Sequence, residues 1–173
     1  MKRFVLILVM FVAFNGIAQM EGRVEFGGGY DAYKGHSDYE YYYSESDREF
    51  SDNNISLGVN FSGIYQFKNG ITAGAGLGID NILSSMYEDE QQLSAFVRGG
   101  YNFTGNIYSV EVIYGFLSAY DDNYFVKPTV NVNITDNFMV SVGYTYRYFK
   151  LYPNFYVNSN GVNVGVSYCI KGR

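Results

Sequence analysis

A chain of 173 residues is the size of a single domain, and its formal charge of −5 at pH 7 offers no counterion-release energy to a phosphate backbone, which excludes nucleic acid as a partner. A lone cysteine, Cys169, excludes an intramolecular disulfide, and one cysteine with one histidine cannot build a usual structural zinc site. The 19 Tyr, 14 Phe and 20 Gly, set against 2 Pro and no Trp, favour strands over helices.

The chain opens with a basic pair, Lys2 and Arg3, followed by an uninterrupted apolar run from Phe4 to Phe14. Gly16 and Ala18 then stand at the small-residue spacing that a signal peptidase requires. The run is too short to cross a bilayer as a helix, so residues 1–18 read as a cleaved signal peptide and 19–173 as one exported domain. No cysteine lies near the cleavage point to carry a lipid. Without Lys2 and Arg3 the 12 basic residues fall to 10 against 17 acidic ones, a formal charge of −7.

From residue 23 onward the hydropathy has a period of two. Val24, Phe26, Gly28 and Tyr30 alternate with Arg23, Glu25, Gly27 and Gly29. From Ile55 to Phe67 one face reads Ile55, Leu57, Val59, Phe61, Gly63, Tyr65, Phe67, while Ser56, Gly58, Asn60, Ser62, Ile64 and Gln66 form the other. Ile71 to Asp80, Gln92 to Phe103 and Tyr108 to Phe116 repeat the rule. Tyr124 to Ile134, Phe138 to Tyr148 and Val162 to Ile170 complete eight strands. Three connections are tight: Lys68-Asn69-Gly70, Thr104-Gly105 and Thr135-Asp136-Asn137. Four are longer, at about 34–53, 84–91, 118–123 and 151–160.

Long and short connections in alternation predict an all-β fold, an eight-stranded antiparallel up-and-down transmembrane β-barrel. The apolar face suits lipid. The face of Gly, Ser, Asn and charges suits the narrow interior of an eight-stranded barrel, where small side chains fit. Tyr30, Tyr65, Phe67, Tyr101, Phe103, Tyr124, Phe138, Tyr148 and Tyr168 fall near strand ends and would form interfacial girdles. Cys169 falls on the inward face, where an inert buried thiol is expected.

Arg23, Glu25, Arg98, Glu111, Lys127 and Arg147 collect on the interior face and should pair, because unpaired charge there is costly. A two-residue turn at Thr104-Gly105 would set Phe103 opposite Asn106 and Arg98 directly opposite Glu111. Such a network can plug the barrel or gate ion leakage, and the plug is the plainer reading. The long connections are acidic and rich in tyrosine. The first carries Asp38, Glu40, Glu45, Asp47, Glu49 and Asp52 with Tyr39, Tyr41, Tyr42 and Tyr43, the second Glu88, Asp89 and Glu90, and the third Asp121 and Asp122. They read as a solvated, repulsive surface whose tyrosines can supply contact area; no calcium-loop spacing is present, and no metal or cofactor is expected. A catalytic reading rests on His36 alone. His36-Ser37-Asp38 gathers triad residue types, but consecutive strand residues point to opposite faces, so a Ser from elsewhere (Ser84, Ser85 or Ser118) would be needed.

Eight strands, three short turns and four outward loops resemble the OmpA/OmpX-type family of small outer-membrane barrels, most closely its stand-alone members. The last strand fits the family's closing strand through Val162, Val164, Val166 and Tyr168, although Cys169 to Arg173 follow where the family commonly ends in an aromatic. The resemblance implies a bacterial outer-membrane location with loops extracellular and termini periplasmic. It also implies lipid and lipopolysaccharide surroundings and insertion by the barrel-assembly machinery. A non-enzymatic surface role in adhesion or envelope integrity, with an extracellular protein or matrix partner, is the expected function. A lipid A-modifying enzyme (PagP/PagL-like) and a narrow small-solute pore are the alternatives.

Overall fold

The computed structural model describes residues 19–37, 49–83, 90–103, 107–117, 123–152 and 155–172; the expected signal peptide, 1–18, lies outside them. The eight strands run in chain order: β1 (Gln19–Ser37), β2 (Glu49–Gln66), β3 (Ile71–Leu83) and β4 (Glu90–Asn102), then β5 (Tyr108–Leu117), β6 (Tyr124–Asn133), β7 (Phe138–Tyr152) and β8 (Phe155–Lys171). Every neighbour is antiparallel, and β8 returns to pair with β1, closing the sheet. Closure pairs every strand on both sides along most of its length, so most backbone donors and acceptors are satisfied internally, as hydrocarbon surroundings demand. Among the described residues no helix is long and apolar enough to cross a membrane.

The stagger of the barrel can be read from its register. Arg23 pairs with Ser62, Ser62 with Gly76, Gly76 with Phe96, and Phe96 with Gly115. The path continues through Phe125, Arg147 and Ser159, and re-enters β1 at Tyr33 rather than at Arg23. One circuit therefore climbs 10 residues along β1, and the strands must tilt by about 35–45° for the sheet to close.

Alternation decides the two faces. Outward residues include Phe61, Leu77, Val97, Phe116, Val142 and Val164, all more than half exposed. Inward residues of the same strands include Ser94, Arg98, Glu111, Ser141 and Asn163, all buried. This is the inverse of a soluble barrel and places lipid outside. Aromatic rings pair on the outer wall near both ends. Tyr65–Phe67, Tyr101–Phe103 and Phe138–Tyr168 meet edge-to-face at the short-turn end. At the other end Tyr114, Tyr124, Tyr148 and Tyr156 form a row across β5 to β8.

The strands outrun their expected bounds at the loop end. β1 and β2 reach 19 and 18 residues, against 10 each for β5 and β6. The connection expected at 34–53 is correspondingly shorter, with Lys34, His36, Glu49 and Asp52 all inside strands and Asp52 buried. Glu90 likewise opens β4, across from Ile82. The fourth connection, expected at 151–160, is corrected most in proportion: β7 runs to Tyr152 and β8 starts at Phe155. Tyr, Phe and Val continue the strand pattern through Tyr152 and again from Phe155. A register shift between Lys150 and Tyr152 absorbs the change.

Candidate functional site

The lumen brings together all six charges assigned to the interior face, and it does so in two groups. In the lower group, nearer the short turns, Arg23 donates through Nη1 to both oxygens of Glu111 at 3.0 Å. Its Nε and Nη2 donate to Glu21 Oε1 at 3.1 and 3.0 Å. Arg98 Nη2 donates to Glu111 Oε2 at 2.7 Å and stands 3.5 Å from Glu25 Oε2, while its Nη1 donates to Ser62 Oγ at 2.9 Å. Lys127 Nζ donates to Glu25 Oε1 at 3.0 Å. Three carboxylates and three cations thus alternate across the cylinder and tie β1 to β4, β5 and β6. In the upper group Arg147 Nη1 lies 2.7 Å from Asp31 Oδ2, which also accepts from Ser56 Oγ at 3.1 Å.

The Arg98–Glu111 contact is made diagonally, not directly across. Arg98 pairs with Ile113, and Glu111 with Gly100. Phe103 N–H donates to Tyr108 O, so four residues separate the paired ends where two were expected, and Phe103 does not lie opposite Asn106. A slip of two residues preserves which face each side chain occupies. Both long side chains stay in the lumen and reach each other along the diagonal. The turn residues themselves, 104–106, lie outside the described residues.

Two features of the lumen escape the sequence reading. Asp31, the fully buried partner of Arg147, lies one step beyond Tyr30, where the first strand was expected to stop. Continuing the alternation through Ser37 puts it on the face of Arg23 and Glu25. The second feature is an apolar cluster of Tyr33, Ile82, Phe96, Ile113, Leu117, Phe125, Phe149 and Val157 in the loop-side half of the interior. Phe96 and Ile113 already stand among polar positions in their strands, and that phase violation is its signature in the sequence.

Room for the rings comes from glycine. Gly76, Phe96, Gly115 and Phe125 are successive cross-strand neighbours on β3 to β6. A Cβ on Gly76 would strike Phe96, and one on Gly115 would strike Phe125 and come within 2.8 Å of Phe96 Cβ. Beside this cluster lies a cavity of about 40 Å³, whose lining includes Glu25, Asp80, Phe125, Lys127, Arg147 and Asn163. It has room for only a few waters.

His36 lies in β1, in register with Glu49 and Tyr156 rather than in a loop. Its neighbour Ser37 ends the strand, whereas Asp38, Ser84, Ser85 and Ser118 lie outside the described residues. Tyr39, Tyr41, Tyr42, Tyr43, Glu88 and Asp89, assigned to surface contact, lie outside them as well. Cys169 is buried on the inner face of β8.

Neither a family model nor a curated protein matches the chain. Among solved structures it is similar to Neisserial surface protein A, with a TM-score of 0.51 at 15% identity over 88% of this chain and 99% of that one. The fold is that of a small eight-stranded outer-membrane β-barrel. The chain is also similar to a de novo designed transmembrane β-barrel, with a TM-score of 0.47 at 13% identity over 88% and 95% of the two chains. For the outer membrane protein OprG of Pseudomonas aeruginosa the corresponding values are 0.38, 10%, 86% and 96%. As in any outer-membrane barrel, the apolar belt is the surface that lipid covers, and the ion pairs lie within the protein.

Proposed function

We propose that this outer-membrane barrel is a non-enzymatic anchor that holds its loops at the cell surface, with its termini in the periplasm, for adhesion, other surface contacts or envelope integrity. The observation that carries this reading is the filled lumen. Six charged side chains are cross-linked in its lower part, and eight buried apolar ones pack in its upper part beside the Arg147–Asp31 pair. A cylinder packed in this way supports loops rigidly and narrows the lumen among the described residues, which argues against the pore. The acidic and aromatic composition of the longest connection supports a surface role. Reconstitution in planar bilayers is the direct test: the expected record is flat, and sustained open-channel steps would overturn the anchor. The enzymatic alternative is separated by comparing lipid A mass spectra from a strain lacking the protein, the wild type and His36→Ala. We expect one unchanged profile in all three strains; a lipid A species present only with the wild type would replace the anchor with an enzyme.

A further inference from the structure

Among the described residues, each lumenal cation is matched by a carboxylate. Arg23 is held by Glu21 and Glu111, Arg98 by Glu111, Lys127 by Glu25 and Arg147 by Asp31. Asp80 takes part in none of these pairs, although it lines the central cavity together with Lys127 and Arg147. Both of those cations already stand beside a carboxylate of their own. Asp80 therefore brings an unmatched negative charge into an enclosed space, which is costly without a partner.

The neighbours of Asp80 are oxygens and gaps. On one rung of the inner face, Gly58, Asp80 and Gln92 are successive cross-strand partners on β2, β3 and β4; on the next rung, Asn60, Gly78 and Ser94 are. A Cβ on Gly58 would strike Asp80 Oδ1, and one on Gly78 would strike Asn60 Oδ1 and come within 2.6 Å of Ser94 Oγ. The two glycines thus leave the space into which these oxygens lean. Ser94 and Gln92 are only 6% and 3% exposed, and neither Ser94 Oγ nor Gln92 Oε1 has a hydrogen-bond partner among the described residues. Buried oxygens left without a partner are rare in native folds and call for a group that they can bind. One carboxylate and three neutral oxygens make an all-oxygen set with a single negative charge, the ligand type of a hard cation. A single charge suits a monovalent ion. No cluster of three carboxylate, thiol or imidazole groups, which a divalent ion would favour, occurs among the described residues. The adjoining cavity of about 40 Å³, lined in part by Gly58, Asn60 and Asp80, has room for water to complete the coordination.

We propose that Asp80, Asn60, Gln92 and Ser94 bind a hard monovalent cation, of the sodium or potassium class, inside the barrel. The ion supplies the positive charge that Asp80 lacks, gives the two buried oxygens a partner and ties β2, β3 and β4 together from within. The site depends neither on the surface role proposed above nor on the orientation of the barrel. Urea unfolding of the purified barrel in detergent is compared in sodium, potassium and choline chloride at equal ionic strength, for the wild type, Asp80→Asn and Ser94→Ala. An ion bound only by the folded state raises the midpoint with the logarithm of its concentration. We expect a higher wild-type midpoint in sodium or potassium than in choline, a smaller gap in Ser94→Ala and none in Asp80→Asn. In choline, Asp80→Asn should be at least as stable as the wild type, because it removes an unmatched charge. Equal wild-type midpoints in the three salts would overturn the site. So would a gap undiminished in both variants, which would place the ion elsewhere. A loss of stability in Asp80→Asn of the same size in all three salts would show that Lys127 and Arg147 already satisfy the carboxylate, and would overturn it too. Stabilisation by calcium or magnesium alone would overturn the assignment to a monovalent ion.

Discussion

Glu111 holds two guanidinium groups at once, Arg23 through both of its oxygens and Arg98 through one, in a site closed to solvent. Burying such charges is expensive, and the attraction offsets the cost only while every partner is present. Glu111→Gln leaves two buried arginines sharing a neutral amide, and we expect destabilisation of about 3–5 kcal/mol, measured by guanidinium unfolding in detergent. Lys171→Ala, at an exposed position near the short-turn end, should move the same midpoint little; equal shifts would show that the network carries no special weight. The inward identity of these charges was legible because parity alone assigns a strand face. Which carboxylate takes which cation was not, since it depends on register and on side chains long enough to cross between strands. Asp31 shows the same limit from another side: its face follows from its number once the strand is known to continue.

The β4–β5 hairpin and the glycine–phenylalanine row carry the lesson at the level of elements. Strand existence follows from period-two hydropathy, which is why all eight strands can be read in advance. Register depends on how many residues a turn consumes, and Thr104-Gly105 reads as a two-residue turn while the ladder requires four. NMR in micelles should give Hα–Hα contacts between Gly100 and Glu111 and between Asn102 and Ser109, the paired residues of the observed register. A contact between Arg98 and Glu111 Hα atoms would instead restore the shorter turn. The row Gly76–Phe96–Gly115–Phe125 works by complementary size, with each ring lying over the strand position where its neighbour has no side chain. Gly115→Ala should cost about 1–3 kcal/mol through overpacking, and Gly115→Val should lower folding yield further. A neutral Gly115→Val would mean that the rings have other places to go.

At the scale of the whole molecule, the fold depends on hydrocarbon outside and charge inside. A nitroxide at Val142, 52% exposed on the outer wall, should be relaxed by oxygen dissolved among acyl chains, whereas one at its lumenal neighbour Ser141 should not. Labels at Val59 and Val142 that both report water would remove the membrane assignment. The barrel architecture was legible because one face of almost every strand is apolar. The interior apolar cluster was not, because it is assembled from single out-of-phase residues on several strands. The unequal strand lengths have a further consequence. With β1 and β2 of 19 and 18 residues facing β5 and β6 of 10 each, the described wall ends on a slope at the loop end, a parapet on one side and a sill on the other. Anything lying across the loop end is therefore walled by described strand on the β1–β2 side well beyond the height at which the β5–β6 side stops.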